Sequence, residues 1–404
     1  MCPPGNCTLI WQRCDARRRL DVLSPMNLTV LADENIPAVE EYFGPLAGVR
    51  RISGRSLERT HLDGVDILLV RSVSRVNEAL LRETAVKFVG TATSGFDHID
   101  RDYLARQGIG FAHAPGSNAN SVVEYVLAAI AATEEKLEQL LAGGSVGIVG
   151  YGVIGKAVAA RFAALGVQCR IYDPWLEQST IPNASALDEV LDCDVVTLHA
   201  QLTSDAPWPS YHLLGSRELQ QLRAGTLLIN ASRGSVLDNA ALAEYLQARP
   251  DAFIVMDVWE GEPEPNPDLL AQVTLGSAHI AGYSWDGKLQ ATRMLRDAAS
   301  RYLQLPAPAE VTQPEGAAPI QVSDDFTQAG LLRFLVQARY DIYLDDSMLR
   351  QTVAQIKLQA DGGAGFDLLR KSYRKRRELA GSLVRGLRLP EHRAMAHALG
   401  CIAE

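Results

Sequence analysis

From residue 28 onward, short runs of branched apolar residues alternate with segments of helical periodicity. "LTVLAD" (28–33) reads as a buried strand, and Pro37 opens a short helix through Phe43. "VDILLV" (65–70), "KFVG" (87–90) and "IGFA" (109–112) read as further buried strands, with helical patterns around 77–82 and 100–106 between them. Continuous apolar runs separated by crossover helices point to a parallel sheet covered on both faces.

The next stretch, "NSVVEYVLAAIAATEEKLEQLL" (120–141), predicts one long helix. Val122, Val123, Val126, Leu127 and Ile130 share a face, Asn120 is its expected N-cap, and Gly143-Gly144 stops it. Apolar segments at 145–149, 168–172, 194–198, 226–230 and 252–258 then predict a second parallel sheet. The expected fold class is α/β, with two doubly wound, Rossmann-like lobes joined by the long helix.

Near residue 306 the pattern changes. "LPAPAEVTQPEGAAP" (305–319) reads as a linker. Beyond it lie "TQAGLLRFLVQARYDIYL" (327–344) and the strongly basic "FDLLRKSYRKRRELAGSLV" (366–384). The basic stretch reads first as a solvated helix face and second as a subunit contact.

A chain of 404 residues is long enough for two or three domains, and 47% hydrophobic with 22% charged residues is ordinary for a globular protein. The net charge of −9 argues against an extended nucleic-acid footprint. No apolar run suits a membrane span, and the first 25 residues lack the apolar core of a signal peptide. Those residues read as a disordered extension ahead of Met26. Three of the six cysteines (Cys2, Cys7, Cys14) fall in that extension, with no Cys-x-x-Cys pair and no nearby histidine. This usage fits a reducing, cytoplasmic setting, with neither a disulfide framework nor a metal site.

The candidate chemistry begins at "VGIVGYGVIGKAVAARFAALG" (146–166), where Gly150, Gly152 and Gly155 form Gly-x-Gly-x-x-Gly between a strand and a helix. Gly150 permits the tight turn, Gly152 lets the backbone approach a pyrophosphate, and Gly155 allows close helix packing. The amides of Val153 and Ile154 then face the phosphates. Asp173 ends the next strand, where a carboxylate meets adenosine ribose hydroxyls and favours NAD over NADP. A nucleotide-free turn and a methyltransferase-like glycine loop are the alternatives.

Ligands in such sheets gather beyond the carboxyl ends of the strands. There the sequence places Arg233 in "NASRG", Glu262 in "WEGEP" and His279 in "SAHIAGYS". Taken singly, these read as a loop arginine, one acid of an acidic loop and a structural histidine. Together they suit the oxidation of a hydroxy acid. Arg233 holds a carboxylate in a bidentate pair, His279 takes the hydroxyl proton, and Glu262 orients the imidazole.

The strings "GIVGYGVIG", "INASRGSVLDNAAL", "MDVWEGEPEPNPDLL" and "HIAGYSWDGK" resemble the NAD-dependent dehydrogenases specific for 2-hydroxy acids of D configuration. That family uses an Arg, a Glu and a His at the positions of Arg233, Glu262 and His279. The resemblance implies a split substrate domain (26–119 plus 283–305) around an NAD-binding domain (120–282), followed by a linker and a smaller α+β C-terminal domain (306–404). "DENIP" (33–37), "LLVRSVSRVNEALL" (68–81), "KFVGTATSGFDHID" (87–100) and "HIAGYS" are similar to the branch that oxidises 4-phospho-D-erythronate in pyridoxal 5'-phosphate synthesis. That branch implies a homodimer built through the C-terminal domain. It also implies Ser72, Thr93 and Tyr283 as substrate positions, with Asp173, Asp257 and Gly282 as NAD positions. Ser72 and Thr93 also read as turn formers.

Two departures stand out. Ala200 follows His199 where the related enzymes commonly carry Thr, so a contact to NAD there falls to the backbone. "YDIYLDD" (340–346) lacks the arginines those proteins tend to carry after the Tyr-Asp. A dehydrogenase for another D-2-hydroxy acid, such as 3-phosphoglycerate, and a non-enzymatic NAD-sensing scaffold are the competing readings.

Overall fold

The computed structural model describes residues 28–133, 135–305, 317–323, 326–359 and 364–404. The expected extension at 1–25, with Cys2, Cys7 and Cys14, and the greater part of the 305–319 linker lie outside the described residues. The chain divides into two compact units. The first comprises residues 1–115 with 289–312, and the second comprises 116–288 with 313–404.

The first unit holds β1 (Thr29–Asp33), α1 (Val39–Phe43), β2 (Gly48–Ile52), β3 (Ile67–Val70), α2 (Glu78–Leu81), β4 (Phe88–Thr91), α3 (Arg101–Gln107) and β5 (Gly110–His113). Its five strands are parallel, in the order β2-β1-β3-β4-β5. Short polar side chains set the helix starts. Asn77 accepts from the Leu80 amide at 3.2 Å and Asp100 from the Tyr103 amide at 2.9 Å.

β2 has no counterpart among the expected strands. Its sequence, "GVRRI", lacks an apolar run because it is an edge strand and largely open to solvent. Arg51 turns outward and donates to Glu40 Oε1 at 2.7 Å.

The second unit begins with α4 (Ala119–Ala132) and α5 (Lys136–Leu141). It continues through β6 (Ser145–Val149), α6 (Val153–Ala164), β7 (Gln168–Tyr172), α7 (Leu187–Leu191), β8 (Val195–Leu198), α8 (Ser216–Leu219), β9 (Leu227–Asn230), α9 (Asn239–Ala248), β10 (Phe253–Met256), α10 (Pro267–Gln272) and β11 (Leu275–Gly276). These strands form a six-stranded parallel sheet in the order β11-β10-β9-β8-β6-β7. The order reverses direction beside β6, the topological switch point where such sheets bind dinucleotides.

The long helix expected over 120–141 is two helices. Thr133 turns to extended backbone and its hydroxyl donates back to the Ala129 carbonyl at 2.8 Å, while Glu135 occupies the N-cap position of the next helix without a side-chain cap bond. An acidic side chain suits a new helix N-terminus better than the carbonyl end of an old one. The N-cap position is Asn118 rather than Asn120, which lies inside the first turn. Both helices belong to the second unit, so neither joins the two lobes; the unit boundary falls between Pro115 and Gly116. The chain leaves the second unit within α11 (Trp285–Tyr302).

After the first unit's last segment come β12 (Ile320–Gln321), α12 (Gln328–Gln337), α13 (Ile342–Gln359), α14 (Ala364–Lys371), β13 (Leu383–Arg385), α15 (Pro390–Ala398) and β14 (Ile402–Ala403). The three short strands form a small parallel sheet, β12-β13-β14. Residues from Gln313 on cluster with the nucleotide-type sheet rather than standing apart. Leu331, Leu332 and Leu335 of α12 share one core with Tyr125 and Ala129 of α4.

Phe366 of α14, 1% exposed, joins the core containing Trp259 and Leu270, a burial that contributes roughly 2–3 kcal/mol.

The basic stretch 366–384 is not a solvated helix face. Its helix ends at Lys371, and Arg376 and Glu378 beyond it are buried. Arg376 donates to the Ser121 carbonyl at 2.6 Å and lies over the Tyr340 ring. Charge alone suggested solvent, but these arginines have internal partners. Among the described residues Cys169, Cys193 and Cys401 are free and buried, and no helix is long and apolar enough to cross a membrane.

Candidate active site

The glycine loop joins β6 to α6. Gly150 has φ +94°, and a Cβ there would lie 2.5 Å from the Ala200 amide nitrogen. At Gly155 a Cβ would lie 2.0 Å from the Gly150 carbonyl oxygen, so the helix sits directly on the turn. Gly152 differs from both, since a Cβ would meet nothing within 4 Å. The space before the first turn of α6 is therefore open, and its N-cap, Gly152, makes no side-chain cap bond to the amides that follow. Uncapped amides at a helix N-terminus, reached across bare glycine backbone, fit a pyrophosphate.

Asp173 follows β7, and its carboxylate accepts from the Tyr151 amide at 2.8 Å and the Trp175 amide at 3.1 Å. These bonds fix an acid beside the glycine loop, as ribose binding requires. Ala200 follows β8. The preceding His199 turns inward to Thr197 Oγ1 at 2.9 Å, and burial pushes its pKa down to about 3. It is a neutral, structural imidazole.

Three loops leave adjacent strand ends, because Met256 is in register with both Asn230 and Gly276. Asn230 shapes the first loop. Its Oδ1 accepts from the Ser232 amide and hydroxyl at 3.2 and 2.9 Å, and its Nδ2 donates to the Arg233 carbonyl at 3.1 Å. The Arg233 side chain is exposed, and only one guanidinium nitrogen has a partner among the described residues, the Ser232 carbonyl at 2.8 Å.

His279 Nδ1 lies 2.7 Å from Glu262 Oε2, and Glu262 Oε1 accepts from the Trp259 amide at 2.9 Å. Burial raises the Glu262 carboxyl, but the His279 hydrogen bond and charge outweigh it and leave its pKa below the usual carboxylate value. An ionised Glu262 makes Nδ1 the protonated nitrogen in neutral His279. Nε2, with no partner among the described residues, is then the free base. Trp259 ties the three loops together. Its indole donates to the Ser277 carbonyl at 2.9 Å, and Gly234 packs so close that a Cβ would lie 2.1 Å from its carbonyl.

His279 occupies the left-handed region, φ +55°, an uncommon conformation that its surroundings must enforce. Asp257 does so from beneath. Its carbonyl accepts from the His279 amide at 2.7 Å, and its carboxylate accepts from the Ile280 and Ala281 amides and the Ser277 hydroxyl at 2.6–2.9 Å. The carboxylate of this NAD candidate is turned into the protein, with the residue 1% exposed. Burial pushes its pKa up, against the His279 charge and these hydrogen bonds.

Gly282 lies against Asn118, where a Cβ would come within 2.3 Å of the side-chain amide. The Tyr283 ring is half-buried, with Lys288 Nζ 4.8 Å and Arg370 Cζ 5.6 Å from its centroid.

In the first unit Val70 and Thr91 are paired, so Ser72 and Thr93 each stand two residues beyond neighbouring strand ends. Ser72 is exposed. The Thr93 hydroxyl donates to the Gly95 carbonyl at 2.6 Å, the turn-forming use.

A tight His–carboxylate group also occurs at His212, whose ring nitrogens lie 2.7 Å from Glu260 and 3.3 Å from Asp238. Glu260 also accepts from the Asn239 amide at 3.0 Å, so the group pins the Glu262 loop to the start of α9. Sequence reading singled out none of Asn230, Trp259, Ser277 or Arg370. Of these, only Arg370 left a signal, as part of a basic run.

Comparison with known proteins agrees with this geometry. The profile of the D-isomer specific 2-hydroxyacid dehydrogenase NAD binding domain matches residues 120–281, and a domain of unknown function (DUF3410) matches residues 313–400. The chain is 44% identical over 366 residues to the erythronate-4-phosphate dehydrogenase of Cellvibrio japonicus, spanning 89% of this chain and 95% of that protein. It is 42% identical over 384 residues to the erythronate-4-phosphate dehydrogenase of Salinibacter ruber, spanning 91% and 96%.

Among solved structures it shares its fold with the Aquifex aeolicus D-lactate dehydrogenase complexed with NAD and lactic acid. That likeness has a TM-score of 0.53 at 22% identity, over 68% of this chain and 95% of that one. By this identity and coverage the chain belongs to the erythronate-4-phosphate dehydrogenases, within the D-isomer-specific 2-hydroxyacid dehydrogenase family.

Proposed function

We propose that the protein catalyses the NAD-dependent oxidation of 4-phospho-D-erythronate to (R)-3-hydroxy-2-oxo-4-phosphooxybutanoate, a step of pyridoxal 5'-phosphate synthesis, as a cytoplasmic homodimer. The observation that carries the reading is the 2.7 Å bond from Glu262 to His279 Nδ1, which leaves Nε2 free as a base beside the loop that bears Arg233.

Arg233 presents its unpaired donors to the substrate carboxylate and polarises the neighbouring oxygen. His279 Nε2 takes the C2 hydroxyl proton as that carbon becomes a carbonyl, and Glu262 stabilises the resulting imidazolium. The glycine loop, the α6 amides and Asp173 would hold NAD, which when bound supplies the hydride acceptor.

The test is NADH formation with a panel of D-2-hydroxy acids, with and without a terminal phosphate. Turnover with 4-phospho-D-erythronate well above the rest is expected. Indifference to the phosphate would transfer the reading to another D-2-hydroxy acid, and silence with every substrate would leave a scaffold.

Asp173→Ala is expected to reduce the preference for NAD over NADP at least about tenfold, because the carboxylate that repels a 2'-phosphate is gone. An unchanged ratio of kcat/KM for the two cofactors would remove Asp173 from the ribose site.

A further inference from the structure

Arg370 is an arginine held in place without an acceptor among the described residues. Its helix, α14, is seated by Phe366, and the adjoining α13 is braced against the strand that leads to His279. Asp346 accepts from the Gly276 amide at 2.7 Å, and Arg350 donates to the Leu270 carbonyl at 2.6 Å. Next along the chain, the Tyr373 hydroxyl donates to Asp345 at 2.8 Å and its ring meets Tyr283 edge-on.

The neighbouring arginines each have at least one oxygen partner, although Arg376 also keeps a buried Nε and Nη1 without one among the described residues. Arg374 pairs with Asp345, Arg376 binds the Ser121 carbonyl, and Arg377 pairs with Asp286 at 2.8 Å. Arg370 has neither an ion pair nor a hydrogen bond among the described residues, and its Nε is fully buried. Its guanidinium lies over Tyr283, and its charge reaches Glu262. Burying part of an unpaired guanidinium is unfavourable unless an anion completes it.

Building on the proposed reaction, we infer that Arg370 is the specificity-determining residue that receives the substrate's terminal phosphate. A phosphorylated hydroxy acid has two anionic ends. Arg233 is committed to the carboxylate, so the other end needs a second fork of donors. Arg370 supplies it over Tyr283, with Lys288 adding positive charge over the same ring.

The experiment compares wild type with Arg370→Met and Arg370→Lys on 4-phospho-D-erythronate and on unphosphorylated D-erythronate. Arg370→Met keeps the apolar packing on Tyr283. It is expected to raise KM for the phosphorylated substrate about 30- to 100-fold, with kcat and the D-erythronate parameters within about threefold. Arg370→Lys, with a charge but no fork, falls between.

Inorganic phosphate, as a competitive inhibitor, should lose at least about tenfold in affinity in Arg370→Met. Equal losses on both substrates, or none on either, would overturn the assignment and leave Arg370 as a packing residue for Tyr283. If Arg370→Met fails to fold, the Arg370→Lys ratio decides in the same way. If wild type does not turn over the phosphorylated substrate at all, the proposed reaction fails. Phosphate-induced thermal stabilisation, lost or kept in the Arg370 variants, then judges the anion site on its own.

Discussion

His279→Ala is expected to lower kcat about a thousandfold while leaving NAD affinity within about threefold. The imidazole Nε2 has no partner among the described residues, and its other nitrogen is committed to Glu262 at 2.7 Å. Its removal takes away the base but no group of the glycine loop, so the loss should appear in turnover. At φ +55° alanine is less at ease than histidine, but the bonds from the loop backbone to Asp257 and Trp259 do not involve the imidazole and should keep the loop in place. Isothermal titration with NAD and steady-state kinetics separate the two effects. A variant that lost NAD affinity and kept its rate would show that His279 serves the cofactor instead.

Gly150→Ala should be the most damaging single substitution for cofactor binding, weakening NAD at least about a hundredfold. Two independent penalties fall on one atom. At φ +94° a side chain is strained whatever the space around it, and a Cβ 2.5 Å from the Ala200 amide must displace backbone rather than a flexible side chain. The switch from β6 into α6 would then shift, carrying the Val153 and Ile154 amides away from the pyrophosphate. Roughly 3 kcal/mol of stability should be lost with it. Calorimetric titration and a thermal melt check both effects, and unchanged NAD affinity would mean the loop relaxes without moving those amides.

The glycine loop was legible because its demands are local. A tight turn, a bare approach and a close helix each require the absence of a Cβ, and that need is written at fixed spacing. The strands of both parallel sheets were legible for a related reason, since burial on two faces leaves continuous apolar runs. β2 escaped because an edge strand needs no such run. Asn120 was a reasonable N-cap by residue type, but Asn118 two positions earlier holds the place.

The basic stretch 366–384 shows the limit most clearly. Charge density marks residues that must meet water or an acceptor, but not which. Asp345, Asp286 and the Ser121 carbonyl lie 29 to 255 positions away in sequence from the arginines they bind, and only folding brings them together.

The sequence by itself determined the buried strands of the two sheets and the glycine loop, because periodicity and glycine placement act over a few residues, and it offered Arg233, Glu262 and His279 as candidates at strand ends. The tertiary structure decided which nitrogen of His279 is committed to Glu262, that Asp257 props the loop from within, and that Arg370 lies over Tyr283 with no acceptor among the described residues. Each of these depends on hydrogen bonds and burial between segments far apart in the chain, interactions whose strength is set by distance in space and not by spacing in sequence.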